Sequence, residues 1–309
     1  MRAKLGALIG VARLNFLTLS LACIVLAQCY SLYLGNQFQA ELFIVVVSLG
    51  LAAHVSVNAF NEYFDFRSGL DLLTQKTPFS GGSGSLVTTP EVARWALMLA
   101  VISLLLAIAL GLVLMRQFGT QLLWIGLPGV LLIYTYTQYL NRSPILCFLA
   151  PGLGFGLLMT FGALWVFDGA TSEQLRTPMP LGGWLLSFMV TLLVSNLLLV
   201  NQLPDVEADK QVGRSHLPIA IGRKKSIQVV VVGYAGALAI LPLGVLLEVF
   251  PALTLLLGLN AILLFKLIPG LYRLSAAWQT KAAVPLLALN VVFVHLMILG
   301  AALFMVVGQ

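Results

Sequence analysis

Two stretches concentrate the carboxylates of this chain. The first reads Asn58-Ala-Phe-Asn61-Glu62-Tyr63-Phe64-Asp65-Phe66-Arg67-Ser68-Gly69-Leu-Asp71. Asn58, Asn61 and Asp65 are spaced three and four apart, so on a helix they share one face. Asp71 lies past Gly69 and needs a turn at Ser68-Gly69 to rejoin them. The second reads Asn201-Gln-Leu-Pro204-Asp205-Val-Glu207-Ala-Asp209-Lys210-Gln-Val-Gly213-Arg214. Here Asn201, Asp205 and Asp209 are each four apart and form one polar stripe, which Pro204 kinks or loosens. Carboxylates close together repel and need a cation. Oxygen ligands without His or Cys suit Mg²⁺ or Mn²⁺, and magnesium commonly bridges one or two carboxylates to substrate phosphates.

The elements that must position these stretches follow from composition. Of 309 residues, 60% are hydrophobic and only 9% charged, against roughly 25% charged in a soluble globular protein. An ordinary soluble enzyme and a disordered chain are both excluded. The apolar runs are continuous and about 20 residues long, helix length for a bilayer, without the alternation of a transmembrane barrel. The expected fold is all-α: one polytopic membrane domain over residues 1–309 with about nine transmembrane helices. The expected spans are Leu14–Leu34, Leu42–Phe60, Trp95–Met115, Thr120–Leu140, Ile145–Phe167, Gly183–Leu203, Ile227–Leu247, Phe250–Tyr272 and Ala283–Val307. Arg2 and Lys4 precede the first run as they would in a signal peptide. Arg13 interrupts that pattern, and the run from Leu14 is long enough to span, so it reads as a retained helix. Cys23, Cys29 and Cys147 lie in apolar runs without CxxC spacing and read as small buried hydrophobes.

An odd number of spans puts the termini on opposite sides. A cytoplasmic N-terminus collects all of the 17 Lys and Arg except Arg116 and Arg176 on the inside, and leaves Gln309 outside. The net charge of +6 is then a signature of orientation in a cell membrane rather than of nucleic-acid binding, and no basic run with interleaved aromatics argues otherwise. Both carboxylate stretches fall on long cytoplasmic loops, about residues 61–94 and 201–226. Long polar loops among short connectors are where function concentrates. The repeated Asn-x-x-x-Asp element on one face points to two halves facing one cavity. Metal, phosphate and a membrane interior together suggest a lipid diphosphate as substrate.

The pair NEYFDFRSGLD and NQLPDVEADKQVGR resembles the two aspartate-rich motifs of the UbiA-type intramembrane prenyltransferases. Lys76-Thr-Pro-Phe-Ser-Gly-Gly-Ser-Gly84 resembles the continuation of the first motif in the branch nearer the 1,4-dihydroxy-2-naphthoate prenyltransferases. The resemblance implies helices around a central cavity, with Mg²⁺-dependent transfer of a polyprenyl group from its diphosphate to an aromatic quinone precursor. It carries metal and diphosphate contacts to Asn61, Asp65, Asp71, Asn201, Asp205 and Asp209. Many members carry a Lys near a Tyr after the fourth span; this chain has Tyr134-Thr-Tyr136-Thr-Gln-Tyr139-Leu-Asn-Arg142 instead. Arg142 and Lys76 are the two candidates to replace that Lys.

Breaking an allylic C–O bond releases a highly charged diphosphate, whose charge bridging Mg²⁺ neutralises as it develops. Asp65, Asp205, Asp209 and Asn61 are the expected catalytic set. Lys76, Arg67 and Arg214 are near enough in sequence to assist. The allylic cation needs a dry site and aromatic faces, for which Tyr134 and Tyr136 are candidates. Arg13 reads either as a positive-inside anchor or as a contact for an anionic substrate. Asn58 shares the face of the first motif. His54, one turn before it, is either a packed hydrogen-bonding group or a partner for an acceptor hydroxyl. An ion transporter would carry its carboxylates at the centre of the spans, and a lipid-binding scaffold would not need two metal motifs.

Overall fold

The computed structural model describes residues 2–169 and 179–308, so Glu173, Arg176 and Gln309 lie outside the described residues. Among the described residues the chain is helical throughout, with no strand. Among the described residues, eight helical stretches are long and apolar enough to cross a membrane, close to the expected nine, and the chain is a multi-pass membrane protein. The helix Leu123–Gln138, over the expected fourth span, is shorter than these.

The first span is two helices, α1 (Arg2–Ala12) and α2 (Leu17–Tyr33). They meet at Arg13, whose φ of 50° and ψ of 54° lie in the left-handed region that non-glycine residues seldom adopt. Helix therefore begins well before the expected Leu14. α3 (Ala40–Ser68) also outruns its apolar stretch and carries the whole first motif to Ser68. Two short helices follow, α4 (Leu70–Leu73) and α5 (Ser85–Thr88), before α6 (Ala93–Phe118). α7 (Leu123–Gln138) is prefaced by a 3₁₀ turn at Thr120–Leu122.

α8 (Pro144–Gly152) runs through π-helical turns at Leu153–Thr160 into α9 (Phe161–Gly169). Pro151 cannot donate a backbone hydrogen bond, which loosens the ladder just before the π turns. α10 (Leu181–Gln202) ends at the second motif, which continues as α11 (Val206–Gln211). α12 (Leu217–Leu246), a 3₁₀ run Ala252–Leu263 leading into α13 (Leu264–Ala276), and α14 (Thr280–Val307) complete the chain.

α10 is the central helix, buried at Leu186, Met189, Val190, Leu193 and Val200 and packed against α8, α12 and α14. α6 packs on α3 with one face and exposes Leu105, Leu106 and Val113 on the other, as a lipid-facing helix does. Polar ties lock the interior. Tyr234 Oη donates to Asn290 Oδ1 at 2.5 Å, and Asn196 Nδ2 donates to the Val230 carbonyl at 2.9 Å. Such bonds contribute about 0.6–2 kcal/mol each in a membrane. At one end of the bundle, α1 packs on α3, α5 and α6, with Ala7 and Val11 against Leu86, Val92 and Ala96. That end holds both carboxylate motifs.

Candidate active site

The unbroken turns of α3 project Asn58, Asn61 and Asp65 into one cavity. Asn58 Nδ2 donates to the Ala12 carbonyl at 3.1 Å, and Asn61 Nδ2 to Thr137 Oγ1 at 3.2 Å. The helix stops at Gly69, where φ is 78° and a side chain would be strained. The reversal lets α4 return Asp71 to the cavity, as the sequence required of a turn at Ser68-Gly69. Asp71 is buried, and its Oδ2 has no hydrogen-bond partner. Burial, then the charges of Glu62 and Asp65, push its carboxyl up to about 7.

Glu62 is not part of the cavity lining but ties down its rim. It is fully buried. Its carboxylate accepts from Arg13 Nε, the Ser83 backbone N–H and Ser83 Oγ, each at 2.7 Å, and is ion-paired with Arg13 Nη2. The segment Thr77–Gly84 is thereby fastened to α3 and to the α1–α2 junction. Thr77 Oγ1 closes its first turn by accepting from the Phe79 and Ser80 N–H groups at 3.1 and 2.9 Å. Gly82 has φ 75°, and a Cβ there would sit 2.7 Å from Asp71 Oδ1 and 3.4 Å from Glu62 Oε1. Only glycine lets the backbone lie this close to the two carboxylates.

The second motif is presented differently. Rather than one continuous stripe, α10 ends at Gln202, and Asp205 occupies the N-cap position of α11 after Pro204. Asn201, Asp205 and Asp209 nevertheless all line the same cavity as the first motif. Asp209 is buried and accepts from Arg214 Nη1 at 3.0 Å and His216 Nε2 at 2.9 Å. Arg214 Nη2 also donates to Asp65, so one guanidinium spans the two motifs. Its pKa is raised because Asp65 and Asp209 outweigh the opposing effect of burial. Burial and the Asp209 charge push half-buried Asp205 up to about 8, partly offset by Arg214 and by the Gly81 N–H turned towards it. Glu207 is 75% exposed and points elsewhere.

The cavity has a volume of about 640 Å³. Arg13, Tyr136, Asn141 and His216 join the carboxylates at its polar end, and Val46, Leu49, Met115, Ile125 and Met159 line the rest. His54 lies between the two zones, its Nδ1 2.7 Å from Ser20 Oγ and its ring edge-on to Phe155. Four expected contacts lie outside the lining. Arg67, Lys76 and Arg142 are exposed. Tyr134 packs edge-on against Phe60 and Phe64. Lys76 lies over Gly84, and its charge still reaches Asp71.

Asp71 Oδ2, Asn141 Oδ1, Asn201 Oδ1, Gln202 Oε1 and His216 Nδ1 are all buried at this end without partners. Buried polar atoms are normally satisfied, so such a cluster marks a place for a ligand. Among the described residues, no group of three or more His, Cys, Asp or Glu converges on a point where it could hold a metal. Arg214 instead separates Asp65 from Asp209. The donor set fits a hard cation that keeps much of its shell for water and phosphate.

The sequence profile of the UbiA prenyltransferase family matches residues 20–292. A 1,4-dihydroxy-2-naphthoate octaprenyltransferase from Bacillus subtilis (strain 168) is 30% identical over 196 residues, 63% of this chain. The match spans about 60% of that relative's length. A UbiA homologue from Aeropyrum pernix K1 superposes with a TM-score of 0.69 at 19% identity, covering 92% of this chain and 96% of that one. A UbiA homologue from Archaeoglobus fulgidus bound to DMAPP and Mg²⁺ superposes with a TM-score of 0.61 at 13% identity, covering 97% of this chain and 100% of that one.

Proposed function

The chain belongs to the UbiA prenyltransferase family, and on that premise we propose that it transfers a polyprenyl group from polyprenyl diphosphate to 1,4-dihydroxy-2-naphthoate, a step in menaquinone biosynthesis. The observation that carries this reading is one cavity with an apolar body whose polar end gathers both aspartate motifs and Arg214. A prenyl chain suits the body and a diphosphate the polar end. Mg²⁺ held with the diphosphate by Asp65, Asp71, Asp205 and Asp209, with Asn61 and Asn201 beside them, supplies charge neutralisation for the leaving group. Arg214 and Arg13 add fixed positive charge at the same end. The apolar walls exclude water from the allylic cation, and Tyr136 offers it a π face.

Attack by an electron-rich ring carbon completes the substitution. Asn58, Asn141 and His54 are the donors nearest to hand for the acceptor's polar groups, which cost about 1–3 kcal/mol each when buried unpaired. The choice of naphthoate rests on the Bacillus subtilis relative and on the Lys76–Gly84 segment. The same donors suit 4-hydroxybenzoate. The positive-inside distribution supports an orientation with the motif end at the cytoplasmic face of the cell membrane.

A competition assay tests the reading. Both acceptors are offered together with a prenyl diphosphate and Mg²⁺ in one membrane preparation. Preferential prenylation of the naphthoate is expected. Preference for hydroxybenzoate overturns the acceptor assignment, and diphosphate consumption without either product overturns both acceptors.

A further inference from the structure

A second cavity, of about 630 Å³, lies at the motif end. Thr74 and Asp205 line it as well as the main cavity, so these residues form a wall between the two. Its other walls come from the start of α12 (Arg223) and the junction of α13 with α14 (Trp278, Gln279, Lys281). Its character is unlike that of the first. The Arg223 guanidinium lies 5.2 Å from the centre of the Trp278 ring and is held by the Leu203 carbonyl at 3.0 Å and Glu207 Oε1 at 3.3 Å. Trp278 Nε1 is buried without a partner. α14, 28 residues long, starts on this wall with no side-chain cap on its first N–H groups. With Arg223 already paired to Glu207, the uncapped N-terminus, Lys281 and the indole N–H without a partner are the features that favour an anion.

We propose that this cavity is the aqueous vestibule through which inorganic diphosphate leaves after prenyl transfer. The inference rests on the function proposed above. The prenylated ring is apolar and leaves towards lipid, whereas diphosphate cannot cross the apolar body of the main cavity. The wall at Asp205 is the boundary between its binding place and the polar vestibule. The mixed lining suits a metal–diphosphate pair: Lys281 and the start of α14 face phosphate oxygens, while Asp205 faces the accompanying cation and the Arg223–Glu207 pair forms the wall between them.

Two variants test this without touching the transfer site. Trp278→Phe keeps the ring beneath Arg223 and removes only the N–H, and Lys281→Ala removes one charge. Each is expected to raise the inhibition constant of added inorganic diphosphate about fivefold. The KM for prenyl diphosphate and the single-turnover rate should stay within twofold, and Lys281→Arg should restore inhibition. Calorimetric titration of Mg²⁺ and inorganic diphosphate into the full-length protein, with no acceptor, should show the same loss of affinity. That arm stands even if prenyl transfer itself is not observed. Unchanged inhibition and binding overturn the proposal. A parallel rise in KM and inhibition constant overturns it too, because the cavity then serves the substrate headgroup.

Discussion

The two aspartate motifs share an Asn-x-x-x-Asp spacing, yet the chain delivers them by different means. In the first, Asn61 and Asp65 stand on successive turns of α3, a 29-residue helix that does not break until Ser68. Glu62, on the same helix, is clamped by Arg13 and Ser83. In the second, the helix ends between Asn201 and Asp205, and Asp205 stands at the N-cap position of a six-residue helix beside Pro204, with no side-chain cap bond. Equal spacing therefore does not mean equal stiffness. The first motif is a fixed wall, because moving Asp65 means moving α3. The second is jointed, because Asp205 sits at the break between α10 and α11 beside Pro204, while Asp209, on α11, is tied to Arg214 and His216. On the proposed function, one rigid and one adjustable jaw would let a diphosphate enter, be gripped and leave.

The largest effect should come from removing either jaw. Asp65→Ala and Asp205→Ala are each expected to reduce turnover about a thousandfold or more, because losing a metal-bridging carboxylate raises the barrier by several kcal/mol. Both proteins should stay folded by thermal melting. Normal turnover of either at saturating Mg²⁺ would remove the carboxylates from the mechanism. Lengthening the side chain separates the jaws more sharply. Asp205→Glu should retain about ten times more activity than Asp65→Glu, since the backbone at the break beside Pro204 can yield by a methylene and α3 cannot. Equal losses would mean that the second motif is as rigid as the first.

Glu62→Gln should cost less, and through structure. It leaves Arg13 without its charged partner and weakens the hold on Ser83, which costs about 1–3 kcal/mol of stability. The expected signature is a lower melting temperature and faster proteolysis within Thr77–Gly84, with Mg²⁺ dependence unchanged. A shift in the Mg²⁺ requirement without loss of stability would make Glu62 a ligand instead.

A pH series reads the buried charge on both sides. The carboxyls of Asp71 and Asp205 are pushed up to about 7 and about 8. The folded protein therefore holds protons that the unfolded chain has already released above about pH 4. Metal-free stability should fall as pH rises from about 4 and level off above about 8. Mg²⁺ with diphosphate should restore more stability at pH 8 than at pH 6, because metal replaces those protons. The double variant Asp71→Asn, Asp205→Asn should flatten the slope; an unchanged slope would place the titrating groups elsewhere.

The all-α fold and the spans were legible because a bilayer demands long apolar runs, and no other element satisfies the backbone inside it. The faces of α3 were legible because helix geometry is local. Three features were not. The break after Gln202 depends on how Pro204 and Asp205 resolve a local choice between kinking and capping. The pairing of Glu62 with Arg13 and Ser83 joins residues that only the folded bundle brings together. The apolar lining was hidden because residues such as Leu49 and Met159 look in sequence like any lipid-facing side chain. The same blindness to distance put Arg67 among the candidate contacts by its closeness in sequence to the first motif, whereas Arg142 entered through the resemblance and Tyr134 as an aromatic face for the allylic cation.

The smallest expected effect concerns Lys76 and Arg142, the two candidates to replace the lysine that the resemblance implies after the fourth span. Lys76 and Arg142 are both exposed, and neither lines the cavity. They differ in reach. Lys76 lies over Gly84, on the segment that packs against Asp71, and its charge lowers the Asp71 pKa, opposing burial. Arg142 ends the turn after α7 without a comparable partner on the first motif. Lys76→Ala should therefore raise the KM for prenyl diphosphate about threefold, and the increase should shrink with added salt, because an exposed charge acts through screened solvent. Arg142→Ala should leave KM within experimental error. Were Arg142→Ala to show the larger, salt-insensitive effect, its side chain would have to fold into the cavity when substrate binds, and the turn after α7 would join the second motif as a moving part of the site.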